Sequence, residues 1–272
     1  MRLLLSLSLL VVGAAAFAQA SPPSVVINAQ DQMLVDRAAR RGRLIHAYDQ
    51  AAWRGTDDAL AKEPGLGPKI GGWVVDGSAE ATEFLFFDKD EATPHVLYIA
   101  HFRNNKLVDG HVLSDTEDRS ISPTRLKLIA ALATARAAAR SAGIKSCNDK
   151  PFNTVVLPTE APGGPTLVYL LTPQATNDTL PAGGHYLIEV AADGTASPPA
   201  PFAKSCVTLS TRQANTAAMF ITHLLTPVPT EVHVFTSLSA RLPLFVATLQ
   251  NRLLWSVGGG NIAAMRKLDD KN

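Results

Sequence analysis

The first twenty residues decide how much of this chain folds, and in what surroundings. Arg2 supplies a single positive charge, Leu3–Phe17 is an uncharged apolar run, and Ala18-Gln19-Ala20 has the small-x-small pattern that signal peptidase accepts. Residues 1–20 therefore read as an export signal, cleaved near Ala20-Ser21. A retained anchor fits less well, because the run is shorter than the roughly 20 residues a bilayer-spanning helix needs. Pro22-Pro23 would also stop a helix there. No cysteine follows the run before Cys147, so no lipid attachment is expected. The expected product is a periplasmic or secreted protein without a transmembrane anchor. It has about 250 residues, enough for one large domain or two small ones.

An oxidising destination gives meaning to the cysteine count. Cys147 and Cys206 are the only two, and an even number in an exported chain favours a bridge. It would close a loop of about 60 residues, which loop-closure entropy values at about 4 kcal/mol. The remaining composition is that of an ordinary globular protein, 46% hydrophobic with a net charge of +1. That balance implies neither a nucleic-acid partner nor an anionic membrane surface.

Periodicity gives the architecture. Residues 21–30 read as a loose leader. From Asp31 to about Lys62 the apolar spacing is helical, but Gly42 and Gly55 weaken it, so one helix or two are expected, the second capped by Thr56. Four strand-like runs follow, Ile70–Val75, Thr82–Phe87, His95–Arg103 and Lys106–Leu113, and read as an antiparallel meander. Ser122-Pro123 opens the strongest helix in the chain, which runs to Ser141 and ends at Gly143. Its stripe of Leu126, Ile129, Leu132 and Ala133 should pack on the meander, with Arg125, Arg136 and Arg140 facing water.

After Cys147 short β-branched and aromatic runs dominate. Expected strands are Asn153–Leu157, Thr166–Thr172, His185–Ala191, Cys206–Leu209, Val232–Leu238, Leu244–Leu249 and Arg252–Val257. Residues Ala217–Leu225 suit a strand or a short helix. The fold class is α+β: an αββββα half (31–145), a β-rich half holding the disulfide (146–262), and a charged tail (263–272).

No familiar catalytic signature is present. The chain lacks G-x-S-x-G, S-x-x-K, H-E-x-x-H, a Walker A loop and C-x-x-C. Gly65–Gly71 is glycine-rich but precedes a strand, so its amides lack the helix dipole that binds phosphate. His95 and His101 share a strand face but lie roughly 20 Å apart. A two-residue turn at Asn104-Asn105 would place His101 opposite Val108 and His111 opposite Tyr98, on different faces; a register shift would bring them together. His185 and Glu189, roughly 13 Å apart, read as solvent-facing side chains rather than an acid–base pair.

The sharpest positional expectation comes from the meander's topology. The loop after Phe87 carries Asp88, Asp90 and Glu91, and the loop after Leu113 carries Asp115, Glu117 and Asp118. Both leave the sheet at the same end, where six carboxylates would suit Ca²⁺ or a basic partner, or simply be solvated turns. Arg37, Arg40, Arg41 and Arg43 form a basic patch on the first helix, suited to anion contact or to solvation. No metal or cofactor is expected from the motifs.

Four stretches carry a resemblance: KSCNDKPFNTVVLP (145–158), VYLLTPQATNDTLPAGGHYLIEV (168–190), AKSCVTL (203–209) and EVHVFTSLSARLPLFVATLQNRLLWSVGGGNI (231–262). Together they resemble a group of secreted proteobacterial proteins of unknown function. The resemblance implies export, with Cys147/Cys206 and Gly183-Gly184-His185 as framework elements, and assigns no activity to any residue. The expected role is an exported binding or scaffolding module without catalysis. The alternatives are a hydrolase assembled from distant residues, with His185, Glu189 or the histidines of the meander as possible parts, and a docking subunit with an envelope protein partner.

Overall fold

A computed structural model of the chain describes residues 25–211 and 216–268. The expected export segment, its expected cleavage point and the last four residues of the tail lie outside the described residues. Among the described residues no helix is long and apolar enough to cross a membrane. The fold is α+β, as the periodicity indicates.

The first helix, α1 (Ala29–Lys62), is unbroken over 34 residues. Asn28 caps it, its side chain accepting from the Asp31 amide at 2.8 Å. Ahead of it, Val25 and Ile27 pack on a hydrophobic core, so the described part of the leader is held in place. The two glycines that weaken the helical pattern are its closest contacts. A Cβ at Gly42 would lie 2.4 Å from Val234 Cβ, and one at Gly55 would lie 2.4 Å from Phe84 Cδ1. Thr56 caps nothing; its hydroxyl donates back to the Ala52 carbonyl within the continuous helix.

The meander forms as expected from β1 (Ile70–Gly77), β2 (Ala81–Asp88), β3 (Val96–Arg103) and β4 (Lys106–Val112). α2 (Pro123–Ser141) begins on a Ser122 cap. Its buried face is Leu128, Ala131, Leu132, Ala135 and Ala139, whereas Leu126 and Ala133 are exposed. Alanine-rich sequence leaves the apolar stripe poorly marked. Arg125 settles the rotation, because its guanidinium bridges Asp76 on β1 and Glu83 on β2. Arg136 likewise lies over the Trp73 ring, 6.0 Å from its centroid.

A second antiparallel sheet contains β5 (Asn153–Leu157), β6 (Thr166–Leu171), β8 (Tyr186–Val190) and the two-residue β9 (Ala200–Pro201), in that order. Between β6 and β8 in sequence, β7 (Thr179–Pro181) pairs with β10 (Thr208–Ser210). Strands β1 and β5 lie side by side with no hydrogen-bond ladder between them. Along each, neighbouring residues point to opposite cores: Val75 and Val155 toward α1, Val74 and Val156 toward α2. The two sheets thus act as one split layer between two helices, and both cores mix residues from the two halves of the chain.

The last unit is a sheet of β11 (Met219–His223), β12 (Leu244–Thr248), β13 (Leu253–Gly258) and β14 (Asn261–Lys267). β11 and β12 are parallel and joined by a helix, α3 (Glu231–Ala240), where the sequence pattern predicts a strand over Val232–Leu238. The pattern misleads because α3 is buried nearly all round, from Glu231 to Ser237, between α1 and this sheet. A helix with no wet side shows no 3.6-residue period, and β-branched residues then mimic a strand. The tail is also corrected: its residues 263–267 continue β14, which follows a Gly259-Gly260 turn with positive φ at both positions.

The bridge is present, Cys147–Cys206, with Cα atoms 5.6 Å apart. It passes directly under the Gly183-Gly184 turn. Gly184 has φ +72°, and a Cβ there would sit 2.1 Å from Cys147 Sγ. Only glycine allows both that backbone and that approach.

Helix propensity and packing make opposite predictions for Gly42→Ala. Propensity alone would stabilise by about 1 kcal/mol; the contact with Val234 and the Glu231 carbonyl makes a loss of about 1–3 kcal/mol the expected result. Urea unfolding gives the sign directly, and a stabilised variant would rule out the close α1–α3 approach.

Candidate functional site

A cleft of about 1200 Å³ opens between the middle of α1, the β3–β4 turn, the ends of β5 and β6, and the C-terminal end of α3. Its position follows from the split layer: Trp73 of β1 and Thr154 of β5 lie at the seam between the two sheets and in the cleft wall at once. Three buried side-chain polar atoms among the described residues have no hydrogen-bond partner: Arg54 Nε, Asn105 Oδ1 and Thr154 Oγ1. All three residues line this one cleft. Leaving a buried donor or acceptor unpaired costs about 1–3 kcal/mol each, so their convergence marks a place where something else supplies the partners.

The charges in the wall are equally unbalanced. Arg54, Lys106 and Arg241 line the cleft, and none has a carboxylate within ion-pair distance among the described residues. The one carboxyl there, Asp49, is pushed up to about 6 by burial, opposed by a hydrogen bond from Gln50. His46, one helical turn before it, is pulled down to about 4 by burial, with Arg241 and Arg54 adding repulsion. Ser239 Oγ stands 3.5 Å from His46 Nδ1. Two of the three tryptophans, Trp53 and Trp73, contribute ring surface.

Comparison with protein-family models, with curated proteins and with solved structures finds no match to this chain.

The two acidic loops do meet, as the meander's topology requires, around a second and smaller hollow. Their carboxylates, however, are largely engaged in holding the loops. Asp88 accepts from the amides of Asp90 and His95, Asp90 from those of Ala92 and Thr93, and Asp118 from that of Ser120. Asp115 is paired with Arg119 at 2.5 Å, and Arg119 also approaches Asp88 at 3.7 Å. Glu117 accepts from the Ser114 amide and hydroxyl and is held down to about 2 by the Ser114 amide and His111. Glu91 is exposed. Among the described residues no group of three His, Cys, Asp or Glu could hold a metal ion. Contacts within the loops thus account for most of these carboxylates.

The histidines require two corrections. The Asn104-Asn105 turn has two residues, both with positive φ, but a bulge at His101/Phe102 shifts the register. His101 then faces Asp109, and His111 faces Ile99, so both histidines share one exposed face. Each is engaged by carboxylates, His101 with Glu83 and Asp109 and His111 with Glu117. His185 is not on the solvent face: it is fully buried ahead of β8. Its Nδ1 accepts from the Thr172 amide at 3.1 Å, and its Nε2 donates to the Pro181 carbonyl at 3.0 Å. Glu189 is exposed, so the pair has no joint role. Nor is the basic patch on α1 all free surface. Arg41 forms a two-point pair with Glu160 and approaches Glu231, which accepts from Tyr169, while Arg43 donates to the Gly260 carbonyl.

Four histidines set an acid limit on the fold. Burial lowers His46, His185 and His223 to about 4 and His233 to about 3. The unfolded chain takes these protons near 6.5 and the folded chain does not, so stability is full above 6.5 and falls as pH drops toward 4. Each can contribute at most about 1.4 kcal/mol per pH unit in that window, while Asp49 opposes the loss as it protonates below 6. Urea midpoints measured from pH 7 to 5 should decline steadily, and a flat profile would contradict the burial of these rings.

Proposed function

We propose that this chain is an exported ligand-binding protein whose site is the cleft between α1, the β3–β4 turn and the C-terminal end of α3. The observation that carries the reading is the convergence of Arg54 Nε, Asn105 Oδ1 and Thr154 Oγ1, buried and unpartnered, on one large concave surface. Binding sites are concave, apolar-walled and furnished with a few polar groups that wait for a ligand. Export rests on the N-terminal signal pattern, and the Cys147–Cys206 bridge is compatible with it. Membership of the secreted proteobacterial group remains part of the same proposal.

A hydrolase is the second reading, favoured by the Ser239–His46 contact inside the cleft. Ser239, however, lies in the last turn of α3, where a helix presents free carbonyls rather than amides. An acyl oxyanion would meet the negative end of the dipole there. Binding is the better-supported activity. A docking subunit is less favoured still, because Arg41 and Arg43 and most of the acidic loop carboxylates have internal partners.

The test is a thermal-shift panel of saccharides, dicarboxylates, amino acids, nucleotides and short peptides, followed by calorimetry. At least one class should raise Tm, by the equivalent of about 2.7 kcal/mol at one hundred times Kd. Gln50→Trp, which fills the cleft from α1, should remove the shift while preserving the circular dichroism spectrum. Absence of any shift, or an undiminished shift in the filled variant, would refute the cleft as the site.

A further inference from the structure

Building on the cleft as the binding site, we infer that its ligand is an acidic oligosaccharide. Three cationic side chains face one carboxyl across the cleft, and none of the three is neutralised by a carboxylate among the described residues. A bare surface cation is ordinary, but Arg54 Nε is buried and has no acceptor at all. A negatively charged group on the ligand answers that deficit, since charge-assisted bonds to Arg are the strong ones.

Charge alone does not choose among anions; the remaining lining does. Gln50, Asn104, Asn105, Asn153, Gln174 and Asn177 supply carboxamides, each both donor and acceptor. Thr154, 7% exposed and with an unpartnered hydroxyl, lines the same space. Such groups match sugar hydroxyls, which also donate and accept at every position. Trp53 and Trp73 add indole rings against which the C–H face of a pyranose can lie, and Arg54 stands 5.8 Å from the Trp53 ring centroid. An acidic residue could there be clamped at ring and carboxylate together. The cleft's volume exceeds the roughly 300–1000 Å³ of a single drug-sized ligand, which suits several linked units.

Competing anions fit less well. Phosphate groups of nucleotides prefer converging amides at helix N-termini or glycine loops. Here the helices present the middle of α1 and the C-terminal end of α3. An acidic peptide would be expected to pair along several successive residues of a free strand edge, whereas the edge strands β1, β4 and β5 reach this wall with no more than two residues each.

The experiment titrates the full secreted chain, by tryptophan fluorescence and calorimetry, with tetrasaccharides of three acidic kinds: uronate-, sialate- and sulfate-bearing. Neutral tetrasaccharides, a nucleoside triphosphate and a glutamate-rich peptide serve as comparators. At least one acidic tetrasaccharide should bind at least tenfold more tightly than its neutral counterpart and shift the emission of Trp53 and Trp73. Arg54→Gln should weaken it at least tenfold, and the more exposed Lys106→Gln about threefold, a variant that keeps the test open should Arg54→Gln misfold. If neutral sugars bind as well, or the nucleotide or peptide binds instead, the acidic-saccharide inference falls while the cleft stands as a site. If none of the acidic tetrasaccharides binds at millimolar concentration, the inference falls outright; the cleft reading then depends on the wider ligand panel and the Gln50→Trp control.

Discussion

The close approach of α3 to α1 at Gly42 is the contact on which the rest of the arrangement depends. Because no side chain stands between them there, α3 lies directly on the long helix and carries the β11–β14 sheet with it. One helical segment further along, Gly55 lets Phe84 of the meander approach in the same way. A single helix therefore fixes two sheets that share no strand. The cleft lies along α1 between these two points, bounded on one side by the end of α3 and on the other by the meander's turn. Glycine in a helix interior ordinarily weakens it by up to about 1 kcal/mol; here the burial of Phe84, Val234 and Phe235 against the helix offsets that weakness.

Much of this was legible from the residues. The meander, the Ser122 cap, the disulfide and most of the second-half strands follow from turn chemistry, alternation and cysteine count. What failed did so for identifiable reasons. α3 was illegible because a helix enclosed on all sides has no polar face to mark its period. The rotation of α2 was illegible because alanine is apolar on every face, and Arg125 answers to carboxylates brought near only by the sheet. His101 and His111 changed faces through one bulge, a two-against-one pairing that no local composition announces.

The site was the least legible of all, and the reason is general. Arg54, Asn105 and Thr154 come from a helix, a turn and a strand edge, and none belongs to a motif. What distinguishes them is a lack of partners, and that lack exists only once the whole fold has excluded water and offered nothing in exchange. A sequence displays which groups a residue carries but not which of them go unanswered. The acidic loops show the converse. Their six carboxylates are conspicuous in the sequence, yet backbone amides and Arg119 engage most of them.

The disulfide has a consequence that reaches the cleft. Thr172 and Pro181, both in the cleft wall, are joined through the ring of His185, which accepts from one and donates to the other. Thr172 also accepts from the Cys147 amide and donates to the Gly184 carbonyl, and Gly184 lies against the Cys147 sulfur that is bonded to Cys206. Sulfur, glycine, threonine and histidine form one clasp, and that clasp shapes one rim of the opening. A chain still carrying free thiols lacks the bond that closes it. The same sulfur–sulfur bond therefore holds one rim of the proposed binding site, and the shape of that rim is linked to the oxidation state of a single cysteine pair.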